Sequence, residues 1–312
     1  MNYRTFASLL LLFISFTNCK SQTETPKVAV EIIAQDWFHA DSLLHHVQVL
    51  SSDAFQGRRT GTAGAEKAKN YIVNKFQNLQ VLPLTESFEQ HFNFTRRSKA
   101  YKGINVLGLI KGTQKPEEFI VLSAHYDHEG IQGGKIFNGA DDDASGISAL
   151  FAFAEYFQKN PPKHSVILAA VDAEELGLIG SKYFVENSVI PQESIKLNIN
   201  MDMISRSIKN ELFAIGTRYY KHLEPAVKNI ASSENLKLLI GHDGSDSLED
   251  WTNASDHASF HKFKIPFIYF GVEDHKDYHK PTDDYENIHP NFYQNAVTTI
   301  ITVFKTLDST EL

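Results

Sequence analysis

Apolar and polar positions along the chain switch repeatedly between a helical and a strand period. Leu43, Leu44 and Val47 share one face of a helical stretch from Asp41 to Leu50. The segment Gly57-Arg58-Arg59-Thr60-Gly61-Thr62-Ala63-Gly64 breaks the chain, and a helix is expected from Ala65 to about Leu79. Ile104 to Ile110 and Phe119 to Ala124 are β-rich runs, the second ending at His125. Glycines at 130, 133, 134 and 139 mark a long loop. Ile147, Leu150, Phe151, Ala154 and Phe157 then fall at i, i+3, i+4 spacing, as in an amphipathic helix. Val166 to Val171 is a continuous apolar strand, Leu178 to Glu186 a short helix, and Ile195 to Met201 an alternating strand. Strands at Leu212 to Ile215 and Ile265 to Phe270, with helices at Tyr220 to Ser233 and Phe292 to Leu307, complete the pattern. Strands alternating with helices predict an α/β fold: a mostly parallel mixed sheet sandwiched between helices. Ligands of such sheets lie beyond the carboxyl ends of the strands.

That is where the acids and histidines collect. His125 ends one strand, and Asp127, two residues on, is placed to fix its tautomer. The plainer alternative is a surface histidine beside a turn aspartate. Asp141, Asp142 and Asp143 precede a helix; capping accounts for one of them, but three consecutive carboxylates exceed that need. Nothing local decides which of the three binds a metal. Glu174 and Glu175 follow the next strand in a turn closed by Gly177, so one can ligate while its neighbour faces a water as general base. A solvated acidic turn is the other reading. Asp202 sits among apolar neighbours in Asn200-Met201-Asp202-Met203, and a buried carboxylate needs a counter-charge. His279, in Asp277-Tyr278-His279, is unremarkable alone. Together the acids would repel one another unless cations neutralise them, and two divalent ions would do so.

Composition narrows the partners. The 312 residues carry a net charge of −8 and no Lys/Arg-rich block, so no nucleic-acid footprint exists. With 22 Phe and 12 Tyr the chain is rich enough in aromatics to build a core. Residues 1–19 look like a bacterial lipoprotein signal: a short apolar run from Phe6 to Phe16, then Cys19, the only cysteine. Asn18 stands where a small residue is usual, and the alternative is a signal peptide cut elsewhere with Cys19 discarded. The expectation is export to the periplasm or cell surface with Cys19 lipidated as the membrane anchor. Residues 20–30 then read as a polar tether and 31–312 as one domain.

The stretches HYDH, NGADDDASG, AEELGLIGS, NMDM and YHKPTDD, in this order, resemble the M28 family of zinc metallopeptidases, the bacterial leucyl-type aminopeptidases. The resemblance covers roughly residues 100 to 290, with 17 residues from His125 to Asp142 and 33 from Asp142 to Glu175. It implies His125, Asp142 (bridging), Glu175, Asp202 and His279 as ligands of two zinc ions, with cobalt or manganese suited to the same donors. It implies Glu174 as general base, Asp127 as the residue orienting His125, and peptides with a free N-terminus as substrates. Asp256, within Ala254 to Phe260, matches a family segment near the substrate. Met203, Phe270 and Tyr278 flank ligands or strand ends, and an apolar pocket is expected of them. An inserted protease-associated domain, common in relatives, has little room between Thr60 and Lys102. The remaining histidines, including His128, His242, His257, His261, His275 and His289, are expected in turns or on surfaces. Of these, His128 and His257 are the two to inspect for contacts with ligands. A glutaminyl cyclase shares the scaffold and is the nearest competing reading; a non-enzymatic binding module is the other. A structural zinc would favour cysteines, which this chain lacks at the acids.

Overall fold

A computed structural model describes residues 28–29 and 36–312. The expected signal, Cys19 and, apart from residues 28–29, the expected tether lie outside the described residues. Nine strands form the central sheet: β1 (Leu82–Pro83), β2 (Glu89–Arg96), β3 (Lys99–Ile110), β4 (Lys115–His125), β5 (His164–Val171), β6 (Ile195–Met201), β7 (Glu211–Ile215), β8 (Lys237–Ile240) and β9 (Phe267–Gly271). Their order is β8-β7-β9-β6-β4-β5-β3-β1, with β2 on β3. The centre, β9-β6-β4-β5, is parallel throughout. Antiparallel pairs flank it, β7 on β9 at one side and β3 on β5 at the other.

The two sheet faces carry different layers because strand side chains alternate. Ile120, Leu122 and Ala124 of β4 face a core shared with α1 (Ala40–Leu50), α2 (Ala63–Asn78), α3 (Ser145–Lys159) and α7 (Pro290–Leu307). Phe119 and Val121 face the opposite layer, where α4 (Ile179–Glu186) and α6 (His257–Lys262) supply Phe184, Val185 and Phe260. The expected α/β sandwich is therefore the observed one. Among the described residues no helix is long and apolar enough to cross a membrane.

Three local expectations differ. The helix expected from Tyr220 to Ser233 shrinks to α5 (Glu224–Lys228) after a single turn at Lys221–Leu223. Pro225 lacks an N–H and fits only a first turn, and Ile230–Ala231 leaves to pair with Val28–Ala29. Strand β2 was not anticipated; it forms a hairpin with β3 through Arg97 and Ser98, both at positive φ (48° and 63°). A two-residue turn of that hand matches the twist of the strands it joins. Strand β8 and helix α6 are likewise additions, both short.

Candidate metal centre

The parallel strands end on one side of the sheet, and each delivers a side chain to the same cleft. His125 closes β4, Glu174 and Glu175 lie beyond β5, Asp202 follows β6, and the loop after β9 returns with His279. His125 Nε2 stands 3.1 Å from Asp142 Oδ1 and 3.4 Å from Asp202 Oδ1. Asp142 Oδ2 points the other way, 3.3 Å from His279 Nε2 and 3.6 Å from His128 Nδ1. Glu175 completes that side, with Oε2 3.3 Å from His279 Nε2. Asp142 thus offers one oxygen to each of two donor groups. All five expected ligands meet here, and so does His128, expected in a turn or on the surface and here fully buried.

These groups leave polar atoms stranded. Asp202 Oδ1, Glu175 Oε1 and both ring nitrogens of His128 are buried without a hydrogen-bond partner among the described residues. Buried polar atoms are ordinarily satisfied, so four exceptions in one place require an explanation. The donor atoms of His125, Asp142 and Asp202 lie within 4.8 Å of one another, as do those of His128, Asp142 and Glu175. A divalent cation in each group would satisfy the stranded atoms, and imidazole nitrogen with carboxylate oxygen suits zinc. Without cations, the histidines are the counter-charge. Burial disfavours a charged His279, yet Asp142 and Glu175 push its pKa up to about 11. Burial and the Asp142 charge act to raise Glu175, but His128 and His279 pull it down to about 2. Burial also opposes charge on His125, and Asp202, Glu174 and Asp142 nonetheless hold it well above the usual imidazole range.

The run of three aspartates sorts itself by partners. Asp143 Oδ1 accepts from the Gly146 amide (2.7 Å) at the start of α3, and Oδ2 accepts from the His125 amide (3.1 Å). Asp141 Oδ1 accepts from the Ser205 amide and hydroxyl, both at 2.7 Å, while Oδ2 meets His275 Nε2 at 3.0 Å. Asp142 alone faces only histidines. The following loop supports it from outside, since Asp283 Oδ2 accepts from the Asp142 amide at 3.1 Å.

Beneath the two donor groups lies a residue that sequence reading missed. Arg58 is 1 % exposed, and its guanidinium donates to the carbonyls of Tyr126 (2.8 Å), Leu50 (2.8 Å), Asn138 (2.6 Å) and Gly139 (2.9 Å). It ties the loop bearing His128 to the loop bearing Asp142. Burial lowers its pKa, an effect opposed by the nearby charges of Asp142, Asp143, Asp283 and Asp127. Thr60, from the same Gly-bounded segment, donates to Asp172 Oδ1 (2.8 Å) and Asp127 Oδ2 (3.2 Å). Two glycines around an Arg-Arg-Thr core were the available signal, a backbone bent tightly toward something.

Asp127 acts differently from expectation. Its backbone carbonyl, 3.0 Å from His125 Nδ1, fixes that ring, whereas its nearer carboxylate oxygen is 3.8 Å away. The carboxylate instead accepts from the Glu174 amide (Oδ1, 3.0 Å). Glu174 itself is partly open to the cleft. Burial, partly offset by His125 and reinforced by Asp256, Asp202 and Glu175, raises its proton affinity well above that of an ordinary carboxylate.

The cleft is a cavity of about 320 Å³ lined by His125, Asp142, Glu174, Glu175, Asp202 and His279, with Met203, Trp251, Tyr269, Val272 and Tyr278 as its apolar wall. Met203 and Tyr278 are where the sequence reading put them. Phe270 is not: it is fully buried in the helix-side core, and its neighbour Tyr269, on the opposite face of β9, lines the cavity. Asp256 is fully buried and outside the lining, so direct substrate contact is not its place in this structure. Burial raises its pKa to about 6. His242 and His257 are also buried rather than on the surface. His257 stacks on Tyr269 (4.4 Å) with Nε2 2.9 Å from the Trp251 carbonyl, and His242 stacks on Trp251 (3.6 Å). They support the aromatic wall.

The family model described as Peptidase family M28 matches residues 105–304, spanning every residue of the two donor groups. The chain belongs to peptidase family M28. Among curated relatives, this M28 chain is 27% identical over 230 residues to the aminopeptidase YwaD of Bacillus subtilis (strain 168), covering 68% of this chain and 47% of that protein. It is 26% identical over 161 residues to the alkaline phosphatase isozyme conversion protein of Escherichia coli (strain K12), covering 47% of each. The chain thus spans about half the length of these relatives. Solved structures share the fold: a zinc aminopeptidase from Bacillus subtilis (TM-score 0.71, 18% identity, 86% of this chain and 95% of that one). Porphyromonas gingivalis glutaminyl cyclase is similar to the same degree (TM-score 0.70, 19% identity, 87% and 99%).

Proposed function

We propose that this M28 chain is an aminopeptidase that binds two zinc ions and removes N-terminal residues from peptides. The observation that carries the reading is Asp142, whose two oxygens face separate donor groups while Glu174 opens onto the cavity beside them. His125, Asp142 and Asp202 would hold one ion; Asp142, Glu175 and His279 the other. Bound there, the pair supplies Lewis acidity to a peptide carbonyl and lowers the pKa of a water toward neutrality.

The chain's own residues do the rest. Glu174 takes a proton from the attacking water and returns it to the amide nitrogen as the C–N bond breaks. The Asp127 carboxylate holds the Glu174 backbone in place for both transfers. With Glu174 given to the water, Asp274, on the cavity lining and outside both donor groups, is the acid free to receive a substrate ammonium. That preference restricts cleavage to the first residue. The wall of Met203, Trp251, Tyr269 and Tyr278 suits an apolar side chain there. The anchoring of an exported form through Cys19 belongs to the same reading, and Cys19→Ser should release the protein from membranes.

The cyclase reading draws on a likeness to glutaminyl cyclase as strong as that to the aminopeptidase, at an identity that carries the fold alone. One panel separates them: aminoacyl and N-acetylated aminoacyl chromogenic amides, with added zinc, after chelation, and with Glu174→Gln. Cleavage of free-amine substrates only, lost on chelation and in the variant, is expected. A folded protein that holds two metals yet turns over none of them would sink the aminopeptidase reading. Cyclisation of N-terminal glutamine by that protein would install the other.

A further inference from the structure

We propose that His128 is a fourth side-chain donor of the second metal group, an inference that rests on the two-metal reading above. Its imidazole is fully buried, and Nδ1 lies 2.8 Å from Glu175 Oε1 and 3.6 Å from Asp142 Oδ2. The 2.8 Å pair is not aligned as a hydrogen bond, since both atoms remain without a hydrogen-bond partner. Nδ1 therefore sits among the donors of the second group while aimed at neither oxygen. Nε2 is unpartnered as well, so a proton on either nitrogen leaves a buried N–H without an acceptor. A cation at Nδ1 would give that atom the partner it lacks among the described residues and leave one unpartnered nitrogen, Nε2 with the proton, in place of two.

The ring is also built in. It rests against Gly139, where a β-carbon would come within 2.6 Å of Cδ2, and Gly139 adopts a φ of +59°. Any larger residue there would displace the imidazole from the group. Across the group the His279 ring lies 5.9 Å away, centre to centre. His279 borders the cavity while His128 does not, so the two histidines approach from the open and the protein side.

The consequence is an unequal pair. Four side chains, His128, Asp142, Glu175 and His279, close the second group; three, His125, Asp142 and Asp202, leave the first with a position free beside Glu174. A closed set of four is what structural zinc sites use, and three donors with an open position is the catalytic pattern. The second ion should bind more tightly and the first should be the one that faces substrate.

The test uses the whole protein loaded with the spin-active cadmium isotope and labelled at histidine ring nitrogens. Scalar coupling between cadmium and a ring nitrogen requires a bond. Coupling is expected at His125, His279 and His128, the last assigned by its disappearance in His128→Asn. That variant should also lose zinc affinity at one site by about tenfold or more, while the other site moves much less. Should His128→Asn not fold, the wild-type spectrum still decides, with three coupled histidines rather than two. Coupling at His125 and His279 without His128 would overturn this inference and leave the two-metal reading standing. No coupling anywhere would overturn both.

Discussion

The two ends of the central sheet each bury a histidine against an acid, and only one of them makes a site. At the amino end of β5, His164 Nδ1 meets Asp308 Oδ1 at 2.9 Å. That acid is filled by the backbone: the His164 amide donates to Oδ1 (2.9 Å) and the Lys163 amide to Oδ2 (2.8 Å). Burial acts to raise the pKa of Asp308, but these bonds and the His164 ring hold it below the usual carboxylate value. At the carboxyl end, Asp142 faces three imidazoles, and one oxygen each of Glu175 and Asp202 has no hydrogen-bond donor among the described residues. A buried acid–histidine pair is therefore no sign of function by itself. A site declares itself where acids outnumber the donors the fold supplies.

The sharpest break of that contrast is to neutralise one acid at each end. Asp142→Asn should cost metal affinity more than the roughly 10–100-fold typical of changes around a ligand, and turnover with it. Chelator competition measures the first, and retained wild-type affinity would refute the assignment of Asp142. Asp308→Asn should leave metal affinity unchanged in the same assay. Next in size is Arg58→Met, which strands the carbonyls of Leu50, Tyr126, Asn138 and Gly139 beneath the centre. Removing one partner of a buried charged network costs roughly 3–5 kcal/mol. Denaturant unfolding of the metal-free protein should show that loss; a change below about 1 kcal/mol would mean that Arg58 does not hold these loops together.

How much of this was legible follows the same physics. The parallel centre is readable because strands buried on both faces are continuous apolar runs, as in Val166 to Val171. Strand β2 is not, because Glu89, Gln90, His91 and Asn93 are largely solvent-facing and their partner strand is set only by the fold. The candidate ligands stand out because acids at strand ends are unusual and their order is informative. Arg58 escapes notice because its partners are backbone carbonyls, which every residue has. His128 is legible only as a histidine to inspect, because a ring three residues beyond a strand end can turn outward or inward, and Gly139, distant in sequence, decides which.

A buried histidine away from the centre gives a smaller test, in pH. His46 on α1 is 5 % exposed, bonded to the Tyr71 hydroxyl (2.7 Å), and burial followed by the charges of Lys75 and His45 lowers its pKa to about 4. The unfolded value is near 6.5. Between these values the unfolded chain binds the extra proton, so stability falls as pH drops from about 6.5 to 4 and is constant in this respect above that window. Allowing for the part of the ring that water reaches, the loss is roughly 2 kcal/mol. In His46→Gln that part of the acid dependence should vanish. Equal pH slopes for the two proteins would show that His46 binds its proton as readily in the folded state as in the unfolded one.

The smallest effect returns to the amino end. In Asp308→Asn one acceptor oxygen is retained, but the new amide group faces the Lys163 or His164 donors that the carboxylate oxygens now serve. Leaving one buried N–H unpaired costs roughly 1–3 kcal/mol. Because the folded pKa of Asp308 is depressed, its stabilisation is present above the unfolded value near 3.9 and lost as pH falls through the folded one. The variant should therefore be less stable than wild type at neutral pH and converge with it in strong acid, read by thermal unfolding across that range. A deficit that persists undiminished at low pH would assign the loss to packing, and the amino-end pair would no longer be the self-sufficient counterpart of the metal centre.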